Sequence, residues 1–169
     1  MGRHREFAQA MESGTRPTRR WRVLLAHDTS SSTCDGLIAA LESVLGHVEI
    51  LDASSVEGAL ALLYSARESP PDVCFVCLDL PPAPAGGVRL AKEILAAGSP
   101  VVLVTRSLRW LPRDAGSLRD VPWVAPDAER RDVARAVGDA VAASAAADPE
   151  ATEIVGTTSR GDRRSRAGA

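Results

Sequence analysis

"PDVCFVCLDLPPAPAGGVRLAKEI", residues 71–94, decides how this chain is read. Pro70-Pro71 punctuates the chain, and "DVCFVCL" (72–78) follows as a continuous apolar run. That is the pattern of a strand buried on both faces. "LPPAPAGG" is a loop rich in proline and glycine. "GGVRLAKEILAAG" (86–98) reads as a helix opened and closed by glycine. A buried strand, a loop and a helix make the first half of a parallel βαβ unit. The same stretch carries Cys74 and Cys77, so a redox or metal reading competes with a structural one.

Outward from there the pattern repeats. "RVLLA" (22–26), "VEILDA" (48–53), "PVVLVT" (100–105) and "PWVA" (122–125) read as further strands. Helices are expected at 33–46, 55–67 and 127–143. Leu37, Leu41, Val44 and Leu45 line the first, which Gly46 stops. Val56, Leu60 and Leu63 line the second. Val133, Val137 and Val141 line the last, with Asp127 as its N-cap. "RSLRWLPRDAGSLRD" (106–120) is poorly patterned, and Pro112 and Gly116 limit any helix there. Alternating strands and helices predict an α/β fold: a doubly wound, flavodoxin-like, five-stranded parallel sheet with right-handed crossovers. Any site belongs at the carboxyl ends of the strands.

The bulk numbers narrow the function. The chain has 169 residues, 45% of them hydrophobic and 25% charged, which suits one domain with a real core. A net charge of −2 argues against general binding to nucleic acid or membrane. No apolar run is long enough to span a bilayer, and "MGRHREFAQAMESGTRPTRRW" has no secretory h-region, so a cytoplasmic location is expected. Three cysteines without framework spacing suit a reducing compartment. Residues 1–20 read as a flexible basic arm, 21–144 as the domain, and 145–169 as a disordered tail. The Arg-Gly-Asp at 160–162 reads as chance in that tail.

The predicted strand ends gather His27-Asp28, Cys77-Leu78-Asp79, Thr105 and Pro126-Asp127. On these residues, and on "RVLLAHDTSSSTCDGLIAALE", "PVVLVTRS" and "WVAPDAERRDVARAV", the chain from about 22 to 143 resembles a response-regulator receiver domain of the kind joined to LuxR/NarL-type outputs. The resemblance implies a (βα)5 domain with an acidic pair that binds magnesium, a phosphoacceptor aspartate, a switch Thr or Ser, and a lysine. Here the acidic pair is His27-Asp28, Cys77 falls on the phosphoacceptor position, Thr105 is kept, and Pro126 stands at the lysine position. The single lysine of the chain, Lys92, lies in the third helix and not at the fifth strand.

Each departure weakens phosphoryl chemistry. Magnesium prefers oxygen ligands, which an imidazole does not supply. A thiol cannot form an acyl phosphate, and proline offers no charge. Asp79 is the complication. It lies two residues past Cys77, and positions two apart on a strand point the same way. A two-residue shift in register makes Asp79 the phosphoacceptor, with Asp28 and Asp79 as a weak magnesium pair.

Cys74 and Cys77 are three apart, so they point to opposite faces and cannot close a disulfide or converge on one metal. A zinc site also needs ligands the sequence does not pair with them. Cys74 reads as core, and so does Cys34. Cys77 beside His27 is the one pairing that suggests a soft metal or an oxidant, and drift at an unused site is the plainer account of His27. Trp110 and Trp123 fall where the resemblance places a partner or dimer face, made by the fourth helix, fifth strand and fifth helix. The sequence therefore predicts an atypical receiver, not an enzyme and without a cofactor, that signals through a protein partner or homodimer independently of phosphorylation. Two alternatives stand beside it: weak phosphorylation of Asp79, and a sensor that uses the vacated pocket. Residues 145–169 do not resemble a helix-turn-helix, so no DNA-binding domain is expected in this chain.

Overall fold

A computed structural model describes residues 20–28, 34–81, 86–109 and 111–147. Five strands, β1 (Trp21–Ala26), β2 (Val48–Ala53), β3 (Val73–Cys77), β4 (Val101–Val104) and β5 (Trp123–Val124), form one sheet. Their order is β2-β1-β3-β4-β5, and every pairing is parallel. This is the flavodoxin-like order, with its switch point between β1 and β3. The helices are α1 (Asp35–Leu45), α2 (Val56–Ser65), α3 (Gly86–Ala96) and α4 (Arg130–Ala147). Where the resemblance places a fourth helix, the chain forms a 3-10 segment, η1 (Arg113–Asp120), with non-helical backbone at Ala115. Pro112 before it and Gly116 within it are the breakers the sequence carries there.

Strand alternation splits the core in two. Val23, Leu25, Val73, Phe75, Val102 and Val104 face α1 and α4. Leu24, Ala26, Cys74, Val76, Val101 and Leu103 face α2, α3 and η1. Both sets are buried, which is why the central strands read as unbroken apolar runs. Helix α1 buries Leu37, Leu41, Val44 and Leu45 as expected, and Gly46, at φ 78°, ends it with its N–H on the Glu42 carbonyl. Helix α2 is capped by Ser55, whose hydroxyl accepts from the Gly58 N–H at 3.1 Å. Its inner stripe is Val56 and Ala59, while Leu60 and Leu63 are only partly buried.

Two details differ from expectation at the last helix. Asp127 does not cap it. The Ala128 N–H closes a turn on the Ala125 carbonyl at 3.0 Å, so Pro126 and Asp127 belong to that turn and α4 starts at Arg130. The helix also runs to Ala147, three residues into the stretch read as tail, because its alanines favour helix beyond the buried stripe of Val133, Val137 and Val141. The arm at 1–19 and the rest of the tail, with its Arg-Gly-Asp, lie outside the described residues.

The helix after β3 sits unusually close to the sheet. A Cβ built on Gly87 would lie 1.9 Å from the Cys77 carbonyl oxygen, and one on Gly86 would lie 2.2 Å from that of Leu80. The Gly87 N–H donates to the Leu78 carbonyl at 3.2 Å. Glycine at both positions lets the start of α3 rest directly on the backbone that leaves β3.

Candidate functional site

Register brings the strand ends to one edge. Ala26 pairs with Val76, and Cys77 with Val104. The next residues along, His27 and Thr105, extend the same rows: the His27 N–H reaches the Ala53 carbonyl at 2.9 Å, and the Thr105 N–H reaches that of Val124 at 2.9 Å. The result is a cavity of about 420 Å³ lined by His27, Asp28, Cys34, Cys77, Val104, Asp79, Thr105, Arg106, Ser107 and Pro126. Of the strand-end residues singled out in the sequence, His27, Asp28, Cys77, Asp79, Thr105 and Pro126 share this pocket, while Leu78 and Asp127 do not line it. Asp79 is exposed in the turn after β3, and Asp28 is half-buried just past β1.

His27 is 7% exposed. Its Nε2 lies 3.0 Å from Asp52 Oδ1 on β2. Among the described residues neither ring nitrogen has a hydrogen-bond partner, so the Asp52 contact is close without being a hydrogen bond. A buried imidazole in that condition is costly. Thr105 is buried, and its hydroxyl is engaged locally: it donates to the Ser107 carbonyl at 3.0 Å and accepts from the Ser107 N–H at 3.2 Å. Arg106 pairs with Asp127 at 3.6 Å across the mouth. Lys92 is elsewhere. From α3 its Nζ holds Asp114 of η1, Oδ2 at 3.0 Å and the backbone carbonyl at 2.9 Å. That contact lowers the Asp114 carboxyl below its usual range.

The cysteines divide as strand geometry requires. Cys74 is buried on the α2/α3 face, and burial raises its thiol to about 12. Cys77 points to the opposite face. There it meets a residue the sequence reading assigned only to the core: Cys34 Sγ lies 3.9 Å from Cys77 Sγ. Cys34 is the N-cap residue of α1 and contributes no side-chain cap. The two thiols behave as a pair. The Cys77 S–H hydrogen bond, with a smaller contribution from the field of His27, lowers Cys34 against the opposing effect of burial. The same bond, together with burial, raises Cys77. One proton is shed readily and the second is held. The period-two alternation of β3 already put Cys74 and Cys77 on opposite faces. What the sequence did not reveal was that the start of α1 comes back over it.

Among the described residues, no group of three or more His, Cys, Asp or Glu side chains stands close enough to hold a metal ion. No described helix is long and apolar enough to cross a membrane. Of the two tryptophans expected at an interface, Trp123 is 43% exposed at the start of β5, in a shallow groove with Ala128, Asp132, Arg135 and Asp139 of the α4 side. Trp110 lies outside the described residues.

No family model and no curated protein matches the chain. Solved structures do. The N-terminal domain of a response regulator/sensory box/GGDEF three-domain protein from Carboxydothermus hydrogenoformans is similar at TM-score 0.61 and 18% identity, over 75% of this chain and 98% of that one. The signal receiver domain of a modulated diguanylate cyclase from Desulfovibrio desulfuricans G20 gives 0.60 and 20%, over 77% and 100%. The signal receiver domain of the response regulator NarL from Mycobacterium tuberculosis gives 0.57 and 21%, over 73% and 98%.

Proposed function

The chain has the fold of response-regulator receiver domains, and from that premise we propose that it is an atypical receiver, a non-enzymatic module that signals by protein contact without aspartyl phosphorylation. One observation carries this. The residue that ends β3 inside the strand-end pocket is Cys77, and the residue reaching that pocket from beyond β5 is Pro126. Neither an acyl-phosphate acceptor nor a cation stands at those two places. Lys92 does not compensate, because its ammonium is held by Asp114 on the α3/η1 side. Thr105, the residue that would follow a phosphoryl group, spends its hydroxyl on Ser107.

The contact surface we favour is the β5/α4 side around Trp123, an exposed aromatic beside a mixed set of charges, in a soluble and cytoplasmic setting. The partner is a regulatory protein or a second copy of this chain.

A second reading keeps phosphorylation. Asp79 lies on the pocket wall with Asp28, so a carboxylate pair is present even though it is displaced. The experiment that separates the two is incubation of the purified chain with magnesium and acetyl phosphate, followed by intact mass. No gain is expected, under conditions in which an ordinary receiver gains one phosphoryl group. A gain abolished by Asp79→Asn would overturn the non-catalytic reading.

A further inference from the structure

Two thiols, from α1 and from the end of β3, face each other at 3.9 Å in a cavity that opens to solvent. We propose that Cys34 and Cys77 form a reversible dithiol–disulfide couple that reacts with hydroperoxides. The assignment goes beyond the function proposed above and does not depend on it.

Four observations converge. The sulfurs stand 3.9 Å apart, so a disulfide of about 2.05 Å needs them to approach by about 1.9 Å. Both cysteines line the same cavity, Cys77 half-buried and Cys34 buried, so the cavity is the route by which a peroxide would meet them. His27 lies in the same wall, its Nε2 3.0 Å from Asp52 Oδ1, and its field favours the Cys34 thiolate. The third cysteine, Cys74, is fully buried on the other face of the sheet and cannot compete. The shift of Cys34 towards thiolate, set against the neighbouring carboxylates of Asp35 and Asp52, agrees with Cys34 as the attacking sulfur.

The steps balance. The Cys34 thiolate attacks one oxygen of ROOH. The O–O bond breaks, and ROH leaves with one proton, giving Cys34 sulfenic acid. The Cys77 sulfur then attacks the Cys34 sulfur. The S–O bond breaks and water leaves with the Cys77 proton, so a disulfide remains. Two thiols are oxidised by two electrons, and the peroxide is reduced. A dithiol reductant returns the pair by thiol–disulfide exchange.

The test uses the full chain, reduced, then exposed to hydrogen peroxide, denatured and alkylated. The expected product has lost two hydrogens, about 2 Da, takes up alkylating agent at Cys74 alone, and yields one cross-linked peptide pair joining Cys34 to Cys77. Dithiothreitol restores three reactive thiols. Cys74→Ala keeps the cross-link. Cys77→Ser loses it and leaves a sulfenic acid on Cys34 that a dimedone probe captures, so the result does not rest on Cys34→Ser folding. Three free thiols after peroxide, a cross-link that uses Cys74, or one formed only between molecules would overturn the proposal. None of these readouts involves phosphorylation or the Trp123 face, so the two readings fail separately.

Discussion

Replacing Gly87 with alanine should destabilise the domain, although alanine is the better helix former. Ordinary contact begins at 3.4 Å, and the new Cβ would stand 1.9 Å from the Cys77 carbonyl oxygen and 2.8 Å from Leu78 Cα. Both neighbours are backbone, so neither can rotate away, and α3 must lift by roughly 1.5 Å at its start. Lifting it also stretches the 3.2 Å bond from the Gly87 N–H to the Leu78 carbonyl. Overpacking costs about 1–3 kcal/mol and the strained hydrogen bond about 1, against about 0.5–1 recovered in helix propensity. The net loss is about 2 kcal/mol, a fall in Tm of about 6–10 °C for a domain of this size. Gly36, in the first turn of α1, is the control. A Cβ there meets nothing within 4 Å, so Gly36→Ala carries the propensity gain alone and should stabilise by about 0.5–1 kcal/mol. Thermal unfolding of both variants, followed by far-ultraviolet circular dichroism, reads the two signs directly. A Gly87→Ala protein as stable as the parent would refute the close docking of α3 on the end of β3.

Two more expectations follow from the pocket and from the surface. The thiolate of Cys34 should appear, by ultraviolet absorbance, as pH rises through about 7, and Cys77→Ala should move that midpoint up towards 9.0 by removing the S–H donor. Because the folded value lies below the unfolded one, this group adds stability that is present above the unfolded value and lost as pH falls through about 7; a midpoint unmoved by Cys77→Ala would sink the shared-proton account. Trp123→Ser should leave Tm nearly unchanged, since the ring is 43% exposed, while abolishing self-association or partner capture in analytical ultracentrifugation. Association that persists in the variant would move the interface elsewhere.

Much of the fold was legible because burial on two faces leaves a mark in one dimension. "VCFVC" and "VVLV" are apolar throughout because Phe75 and Val102 face one helical layer, and Val76 and Leu103 the other. Helix boundaries were legible where glycine or serine punctuates, as at Gly46 and Ser55. They were not at α4, because an aspartate ahead of an amphipathic run reads as a cap whether or not a turn intervenes. The gathering of His27, Asp28, Cys77, Asp79, Thr105 and Pro126 followed from strand order alone. The Cys34–Cys77 contact did not. It depends on how the chain re-enters α1 above the sheet, a tertiary fact that no local period encodes. The condition of His27 was hidden for the same reason, since Asp52 comes from a different strand.

The sheet also has two unequal borders. At one end β5 offers two residues, too few to template a neighbour, while at the other β2 offers six. Among the described residues no strand pairs with the outer edge of β2, the place where a foreign strand could join, and charge lies along it. Glu49 sits there, held by Arg22 at 3.2 Å and Arg20 at 3.5 Å, with Asp52 three positions on. A strand arriving from another molecule would have to strip water from these groups or prise the arginines away. The ion pairs of β2 therefore act as a guard against stacking in concentrated solution, and because they are electrostatic the guard weakens as ionic strength rises.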